Sequence, residues 1–244
     1  GGAAGMGGAA LLAATAALHG GAGRVFACLL DPDAPGFDPA EPGLMLRRWE
    51  SLDLASMTVA CGCGGGDAVR EALPKVLGTA RALVLDADAL NAIAGDTQLQ
   101  ALLKARAQRA RPTVLTPHPL EAGRLLGCGA ARVQADRLGA SRELVQRLGC
   151  VVVLKGSGTV VAGPDRAPVL NPTGNARLAS AGTGDVLAGL VAAHLAALPG
   201  AFDAAAAAVY EHGRLADGWP PGQALTASAL ARAVAPRPEW AAPL

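Results

Sequence analysis

Aromatic residues and lysines are scarce in this chain of 244 residues. Aromatic side chains make up 3% of it, and three of its 21 basic residues are lysines: Lys75, Lys104 and Lys155. Few aromatics leave little surface on which bases could stack, and a formal net charge of +1 gives no basic excess to attract nucleic acid. The small number of aromatics and the lack of a basic excess both argue against a nucleic-acid partner.

The chain also lacks a regular cysteine pattern and a long apolar run. Its five cysteines have no disulfide-like spacing, and Cys61-Gly62-Cys63 has no second pair with which to hold a metal. The longest apolar run, residues 186–198, is shorter than the roughly 20 residues that a membrane-spanning helix needs. The first basic residue is Arg24, so no signal peptide is apparent. These features predict a soluble, cytoplasmic protein with no membrane partner.

Short, continuously apolar runs alternate with helical segments along most of the chain, which predicts parallel strands covered on both faces. A hairpin around Gly163-Pro164-Asp165 and three helices follow. The predicted fold is one α/β domain over residues 1–244, with a mostly parallel sheet, an antiparallel edge and helices on both sides. The predicted strands are 24–30, 58–61, 82–85, 113–116, 151–154, 159–162 and 168–170. The predicted helices are 9–19, 67–80, 99–110, 120–127, 133–148, 184–198, 203–216 and 225–234.

The N-terminus begins with a glycine-rich turn that leads directly into a helix. In doubly wound folds such a turn normally follows a buried strand. We therefore expect that the native chain carries a strand before Gly1.

A polar loop beginning at Asn171 leads to Gly182-Thr183-Gly184-Asp185 and then to an apolar helix. The amides of Gly182, Thr183 and Gly184, together with the helix dipole, predict an anion hole for a phosphate in transfer. Asp185 lies beside it and is predicted to be the general base for a hydroxyl group. The structural alternative is that Asp185 only caps the helix.

A second motif follows the predicted strand 151–154 and consists of Lys155, Gly156, Ser157, Gly158 and Thr159. Ligands of α/β proteins bind at the carboxyl ends of parallel strands, so the Lys155 ammonium is predicted to face a phosphate. The alternative is a lysine that extends along the surface into solvent. The motif is not a Walker loop, because Gly-x4-Gly-Lys-Ser/Thr is absent.

Two further motifs follow predicted strands. Prolines on both sides of His118 fix its backbone, which suits either substrate contact or a structural role. Asp86 and Asp88 could order the water shell of a magnesium ion, or Asp88 could cap the next helix. The glycine-rich stretch 62–66 is a weaker signal for close backbone approach.

In this order, the motifs resemble the ADP-dependent NAD(P)H-hydrate dehydratases, a branch of the ribokinase-like superfamily with a three-layer α/β/α fold. The most specific stretches are Thr-Pro-His-Pro-x-Glu, which contains His118, and Asp-Ala-Asp-Ala-Leu-Asn, which begins at Asp86. The likeness also includes Gly8-Ala9-Ala10-Leu11, the Lys155 motif and the glycines before Asp185. One departure is Gly62-Cys63-Gly64-Gly65-Gly66, where the family reads Gly-Pro-Gly-Leu-Gly.

The resemblance implies repair of damaged nicotinamide cofactor. The substrate would be the S epimer of hydrated NADH or NADPH, with ADP as phosphate donor and Mg²⁺ bridging the phosphates. It implies that Asp185 activates the C6 hydroxyl, that Ala9, Gly64 and His118 contact the hydrate, and that residues 155–159 and Gly184 hold the nucleotide. It further implies a homotetramer and, in many relatives, an epimerase domain upstream.

Two other functions compete with this interpretation. A ribokinase-like small-molecule kinase, acting on a hydroxymethylpyrimidine or a hydroxyethylthiazole, would use the same anion hole and stop after phosphorylation. A nucleotide sensor that has lost its chemistry is suggested by the altered stretch 62–66, although Asp185 and Lys155 are intact. The sequence leaves open whether ADP or ATP is the donor and which reduced cofactor is preferred.

Overall fold

The structure, a computed structural model, describes residues 1–236 and is built on a six-stranded central sheet. The strands of this sheet are β3 (Thr58–Cys61), β4 (Ala82–Leu85), β5 (Thr113–Leu115), β6 (Val151–Leu154), β7 (Val160–Gly163) and β8 (Arg166–Leu170). They lie in the order β3-β4-β5-β6-β7-β8, and the neighbours from β3 to β6 pair parallel. The last two pairings are antiparallel, which confirms the predicted edge.

Helices cover both faces of this sheet, which makes three layers. The helices are α1 (Gly7–His19), α2 (Val69–Thr79), α3 (Ala87–Ala94), α4 (Thr97–Gln108), α5 (Pro119–Leu126), α6 (Ala130–Ala135), α7 (Arg137–Leu148), α8 (Thr183–Ala197), α9 (Ala201–Asp217) and α10 (Ala227–Ala233). One core cluster joins the sheet to α1, α8, α9 and α10, and a second joins its other face to helices α2 to α7. Within residues 1–236, no helix has both the length and the apolar character needed to cross a membrane.

Two predicted elements differ in the structure. The predicted strand 24–30 pairs only at β1 (Phe26–Ala27), with an unpredicted strand β2 (Met45–Leu46), because the backbone after β1 bonds to the N-terminal glycines instead. The predicted helix 133–148 is two helices. They divide at Asp136, whose carboxylate accepts the Gly139 N–H at 2.8 Å and so starts a new helix.

The N-terminal glycines lie between β1 and β3. Gly1 O accepts the Leu30 N–H at 2.9 Å, and the Gly2 N–H donates to Cys63 O at 2.9 Å. Beside them an apolar cavity of about 670 Å³ is lined by residues of α1, β1, β3 and α8. The predicted strand before Gly1 stays a prediction, as does the single domain over 1–244, whose last eight residues lie outside the described residues.

Candidate active site

Four of the motifs found in the sequence lie at one edge of the sheet. They follow β3, β4, β5 and β6, which are adjacent and parallel, so their carboxyl ends share that edge. The first turn of α8 reaches the same edge, because this helix packs on β3 and β4. Residues far apart in the chain therefore meet in one place, as expected for ligand sites of α/β folds.

The start of α8 is built around Gly182, which has a left-handed backbone (φ 86°). A Cβ there would lie 2.7 Å from the Leu12 side chain, so glycine is required on both grounds. Next to it, the Thr183 hydroxyl donates to Leu178 O at 2.7 Å and fixes the turn. The first N–H groups of a helix have no acceptor within the helix, so the amides of Gly184 and Asp185 are suited to an anion.

Asp185 lies in the first turn of α8 but does not cap it. The N-cap residue is Gly182, and no side chain accepts a capping hydrogen bond there. Burial, followed by the charge of Asp86, raises the pKa of Asp185 from 3.8 to about 6. The neighbouring Cys63 thiol and the Lys155 charge oppose this rise. Asp185 is therefore ionised at neutral pH yet close to its pKa, as suits a general base.

Lys155 is held by an ion pair at the centre of the site. Its Nζ lies 2.7 Å from Asp86 Oδ1, and the Thr116 hydroxyl donates to the same oxygen, also at 2.7 Å. Burial favours the neutral amine, but Asp86 and then Glu121 outweigh it, so the pKa of Lys155 is raised above its ordinary value. A Cβ on Gly184 would be 3.4 Å from Nζ, which places this ammonium beside the start of α8. Lys155 is not a surface lysine.

The rest of the Lys155 motif forms an exposed turn before β7. Gly156, Ser157 and Gly158 are exposed, and the Thr159 hydroxyl donates to Gly156 O at 3.0 Å. Arg137 of α7 donates to Leu154 O at 3.0 Å and to Ser157 O, which fixes the turn from behind. The turn is therefore fixed on one side and exposed on the other.

His118 is the N-cap of α5 and is locked by Glu121. Its Nδ1 accepts the Leu120 and Glu121 N–H groups at 3.1 and 3.2 Å, so the ring proton is on Nε2. Nε2 lies 3.1 Å from Glu121 Oε1, and the His118 N–H donates to Oε2 at 2.8 Å. The side chain is still 45% exposed. Its capping role is evident, and substrate contact stays a prediction.

Ala9 and Gly64, both predicted to contact substrate, lie against each other. A Cβ on Gly64 would be 2.8 Å from the Ala9 Cβ and equally close to Met6 O, so no larger residue fits there. In the same loop the Gly66 N–H donates to Asp88 Oδ2 at 2.8 Å. Asp88 thus fixes the glycine loop. The alternative that Asp88 caps α3 is wrong, because the N-cap of α3 is Asp86.

The two carboxylates considered for a magnesium shell differ in their surroundings. Asp86 is 2% exposed and already neutralised by Lys155, so a cation there would have to displace the ammonium. Asp88 is half-buried and binds Gly66 through one oxygen, which leaves its other oxygen suited to a water molecule of a magnesium shell. Asp88 fits such a role better than Asp86.

Cys61 and Cys63 lie on opposite faces of the sheet, because they belong to different cores. Cys63 lies with two carboxylates: its Sγ and one oxygen each of Asp86 and Asp185 are all within 4.8 Å of one another. Lys155 supplies the positive charge of that cluster.

Sequence reasoning missed four residues that support the site. Thr116 binds Asp86, and Arg137 holds the turn after β6. His212 of α9 is buried, which lowers its pKa to about 4; its Nε2–H then donates to Thr183 O at 3.0 Å. Asp217 accepts the Gly174 N–H at 2.8 Å and fixes the polar loop before α8. Thr116 lies two residues before His118 in the same motif, whereas the other three carry no local signal.

This sheet, covered by helices on both faces and with an antiparallel edge, has the ribokinase-like fold. A ribokinase-like superfamily protein from Enterococcus faecalis has this fold, with a TM-score of 0.78 over 96% of this chain and 83% of its own at 24% identity. The family described as NAD(P)H-hydrate dehydratase matches residues 1–236. The chain belongs to that family.

Two NAD(P)H-hydrate dehydratases from other bacteria are similar to the chain in sequence or structure. The ADP-dependent (S)-NAD(P)H-hydrate dehydratase of Neisseria meningitidis is 41% identical over 98% of this chain and 82% of its own length. The structure of the Bacillus subtilis ADP/ATP-dependent NAD(P)H-hydrate dehydratase, co-crystallised with ATP/Mg²⁺ and soaked with CoA, has a TM-score of 0.72 and 31% identity. That match covers 94% of this chain and 86% of that structure.

The chain spans less than half of the bifunctional relatives. The bifunctional NAD(P)H-hydrate repair enzyme of Escherichia coli is 40% identical over 87% of this chain but over 41% of its own length.

Proposed function

We propose that this protein dehydrates the S epimer of hydrated NADH or NADPH at the expense of ADP, and so restores the reduced cofactor. The observation that carries the proposal is the position of Asp185 in the first turn of α8, beside the amides of that turn and the Lys155 ammonium. The family and its relatives support the choice of substrate.

In the first step Asp185 removes the proton from the C6 hydroxyl of the hydrate. The alkoxide attacks the β-phosphorus of ADP, the bond from that phosphorus to the α,β-bridging oxygen breaks, and AMP leaves. The amides at the start of α8 and the Lys155 ammonium stabilise the negative charge of the migrating phosphoryl group. The exposed turn after Lys155 is suited to hold the nucleotide.

In the second step the C6–O bond breaks and phosphate leaves with the bonding electrons. The lone pair of the ring nitrogen supplies the electrons that stabilise C6, and transfer of a proton from C5 to water forms the double bond of NADH or NADPH. Ala9 and Gly64 would shape the wall against which the ring lies, because their close contact excludes larger side chains. His118, with its ring fixed by Glu121, would present its exposed edge to the hydrate.

The resemblance also predicts Mg²⁺, a homotetramer, a cytoplasmic location and an upstream epimerase domain. Asp88 would hold a water molecule of the magnesium shell, and the bound ion would supply positive charge that neutralises the phosphates. The Bacillus subtilis relative was crystallised with ATP/Mg²⁺. The epimerase is suggested by the bifunctional relatives.

The proposal is tested by incubating hydrated NADH with the protein, ADP and Mg²⁺. We expect the absorbance of the reduced nicotinamide to return and AMP and phosphate to form in equal amounts. Hydrate offered without nucleotide is the control. A phosphorylated product that accumulates without recovery of absorbance would instead indicate the small-molecule kinase. Nucleotide binding without any turnover would indicate the sensor.

A further inference from the structure

His212 lies on α9 with its ring against the start of α8. It is 7% exposed, and its Nε2 lies 3.0 Å from Thr183 O. A carbonyl oxygen can only accept a hydrogen bond, so the ring carries its proton on Nε2 and donates it. Burial lowers the pKa of His212 to about 4, so the ring holds this bond in its neutral form at neutral pH. The imidazole is therefore a fixed, neutral donor to the first residue of α8.

The carbonyl that His212 binds belongs to the same peptide group as the Gly184 N–H. That peptide bond is trans, so its C=O and its N–H point in opposite directions. Holding Thr183 O toward α9 therefore turns the Gly184 N–H away from α9. The first amide that bonds back to the N-cap of α8 is that of Val186, which donates to Gly182 O at 3.1 Å. The Gly184 N–H precedes it and has no acceptor within the helix, so its direction is set by the bond from His212.

We propose that His212 is a positioning residue that holds the Gly184 amide toward the migrating phosphoryl group by binding the Thr183 carbonyl. The inference rests on the proposed function only for what this amide stabilises. The peptide plane cannot rotate without breaking the bond from the ring. An amide whose carbonyl accepts a hydrogen bond is also a stronger donor through its N–H. Both effects favour stabilisation of the negative charge that develops in the transition state.

The segment of α9 that carries His212 is itself fixed against the polar loop before α8. The Thr173 hydroxyl donates to Tyr210 O at 2.9 Å. Gly213, next to His212, has no room for a side chain, because a Cβ there would lie 2.8 Å from the Gly174 backbone nitrogen and would overlap Thr173. The ring can therefore move away from Thr183 O only if α9 moves away from this loop.

A purely structural role is the alternative, because a buried histidine that binds a carbonyl also stabilises the fold. His194 of α8 supplies a comparison for that role. It is 1% exposed, and its Nε2 lies 3.0 Å from Glu211 Oε2 of α9. This contact joins the same two helices, but at 1.5 Å per residue it lies about 16 Å beyond Thr183 along α8. His194→Gln should therefore lower stability without reaching the amides at the start of α8.

The experiment compares His212→Phe, which removes the donor, with His212→Gln, which keeps an N–H at similar reach, and His194→Gln is the matched control. Two quantities are measured: kcat and KM for the hydrate, and the affinity for AMP with and without aluminium fluoride, by calorimetry. Aluminium fluoride beside AMP mimics the phosphoryl group in transfer, and transition-state mimics bind through the groups that stabilise the transition state. The affinity that it adds reports on the amides and needs no turnover.

We expect His212→Phe to lower kcat about tenfold at unchanged KM, and to weaken the aluminium fluoride-dependent affinity by a similar factor while the affinity for AMP alone stays the same. His212→Gln should restore both quantities, and His194→Gln should lower Tm and change neither. An unaltered fluoride-dependent affinity in folded His212→Phe would overturn the inference. An equal loss in His212→Gln, or a wild type that gains no affinity from aluminium fluoride, would also overturn it. A wild type that binds the mimic but does not turn over the hydrate would refute the proposed function, and the comparison of affinities would still decide the role of His212.

If His212→Phe does not fold, His212→Met takes its place, because the flexible methionine side chain adapts to irregular cavities. The wild type supplies a further test without any substitution. ¹⁵N NMR of the His212 ring should show the proton on Nε2. A proton on Nδ1 would overturn the inference, because Nε2 could then not donate to Thr183 O.

Discussion

Replacement of Asp185 by asparagine should abolish turnover and at the same time stabilise the folded protein. Asparagine keeps the size of the side chain, but it cannot take up the substrate proton. We expect kcat to fall by about a thousandfold, within the range for loss of a general base. The affinity for ADP should stay within a few-fold, because the amides of α8 and Lys155 are unchanged.

The gain in stability follows from the raised pKa of Asp185. A shift from 3.8 to about 6 means that the ionised carboxylate is disfavoured in the folded state. At about 1.4 kcal/mol per unit this amounts to about 3 kcal/mol for a fully buried group. Asp185 is partly exposed, so solvent screening leaves roughly half of it. For a domain of this size, that free energy corresponds to about 3–6 °C in Tm.

The pH dependence of the gain has a definite sign. Above about pH 6 the carboxylate is ionised in both states, and its cost to the folded state is fully present. Between about pH 6 and 3.8 the folded state takes up a proton and the cost declines. Asp185→Asn should therefore raise Tm most at neutral pH and have little effect near pH 4.

Calorimetric melting of the wild type and the variant at several pH values tests this reasoning. Asp165→Asn is the matched control: Asp165 is exposed in the β7–β8 turn with a left-handed backbone (φ 55°) that asparagine tolerates, and its Tm should not change. Should Asp185→Asn melt at or below the wild-type temperature at neutral pH, Asp185 would not be the desolvated carboxylate described here.

Two further predictions concern the same residues. In the wild type, kcat/KM should fall tenfold per pH unit below about pH 6 as Asp185 of the free enzyme is protonated, and a kcat/KM that stays level down to pH 5 would contradict its role as base. Lys155→Met should weaken ADP binding at least about tenfold by calorimetry and destabilise the fold by about 3–5 kcal/mol, because Asp86 is left buried without its ion pair. Lys104→Met, on the exposed side of α4, should change neither, and an unaltered ADP affinity in Lys155→Met would place the phosphates elsewhere.

The strands of the sheet were predictable where a continuous run of apolar side chains indicates a buried segment. The runs 58–61, 82–85 and 151–154 match β3, β4 and β6 to the residue. β4 and β6 are buried along their whole length, whereas β3 is half-buried except at Cys61. The run 24–30 fails for a different reason. Its apolar residues line a cavity and contact α1, and a strand needs a pairing partner that the pattern of one segment does not reveal.

Which strand-end residues meet could be predicted only in part. In the order β3-β4-β5-β6 each strand is the neighbour of the next one along the chain, so Asp86 and Thr116, which follow β4 and β5, were bound to lie close together. Lys155 follows β6, two strands from β4. Neighbouring strands are about 4.8 Å apart, so the backbones of Lys155 and Asp86 are roughly 10 Å apart. The two side chains together span that gap only if the residue at the strand end between them is small, and Thr116 occupies that position and binds the same oxygen. The spacing of motifs along the chain therefore locates the site, whereas side-chain length and the residue between decide which charges pair within it.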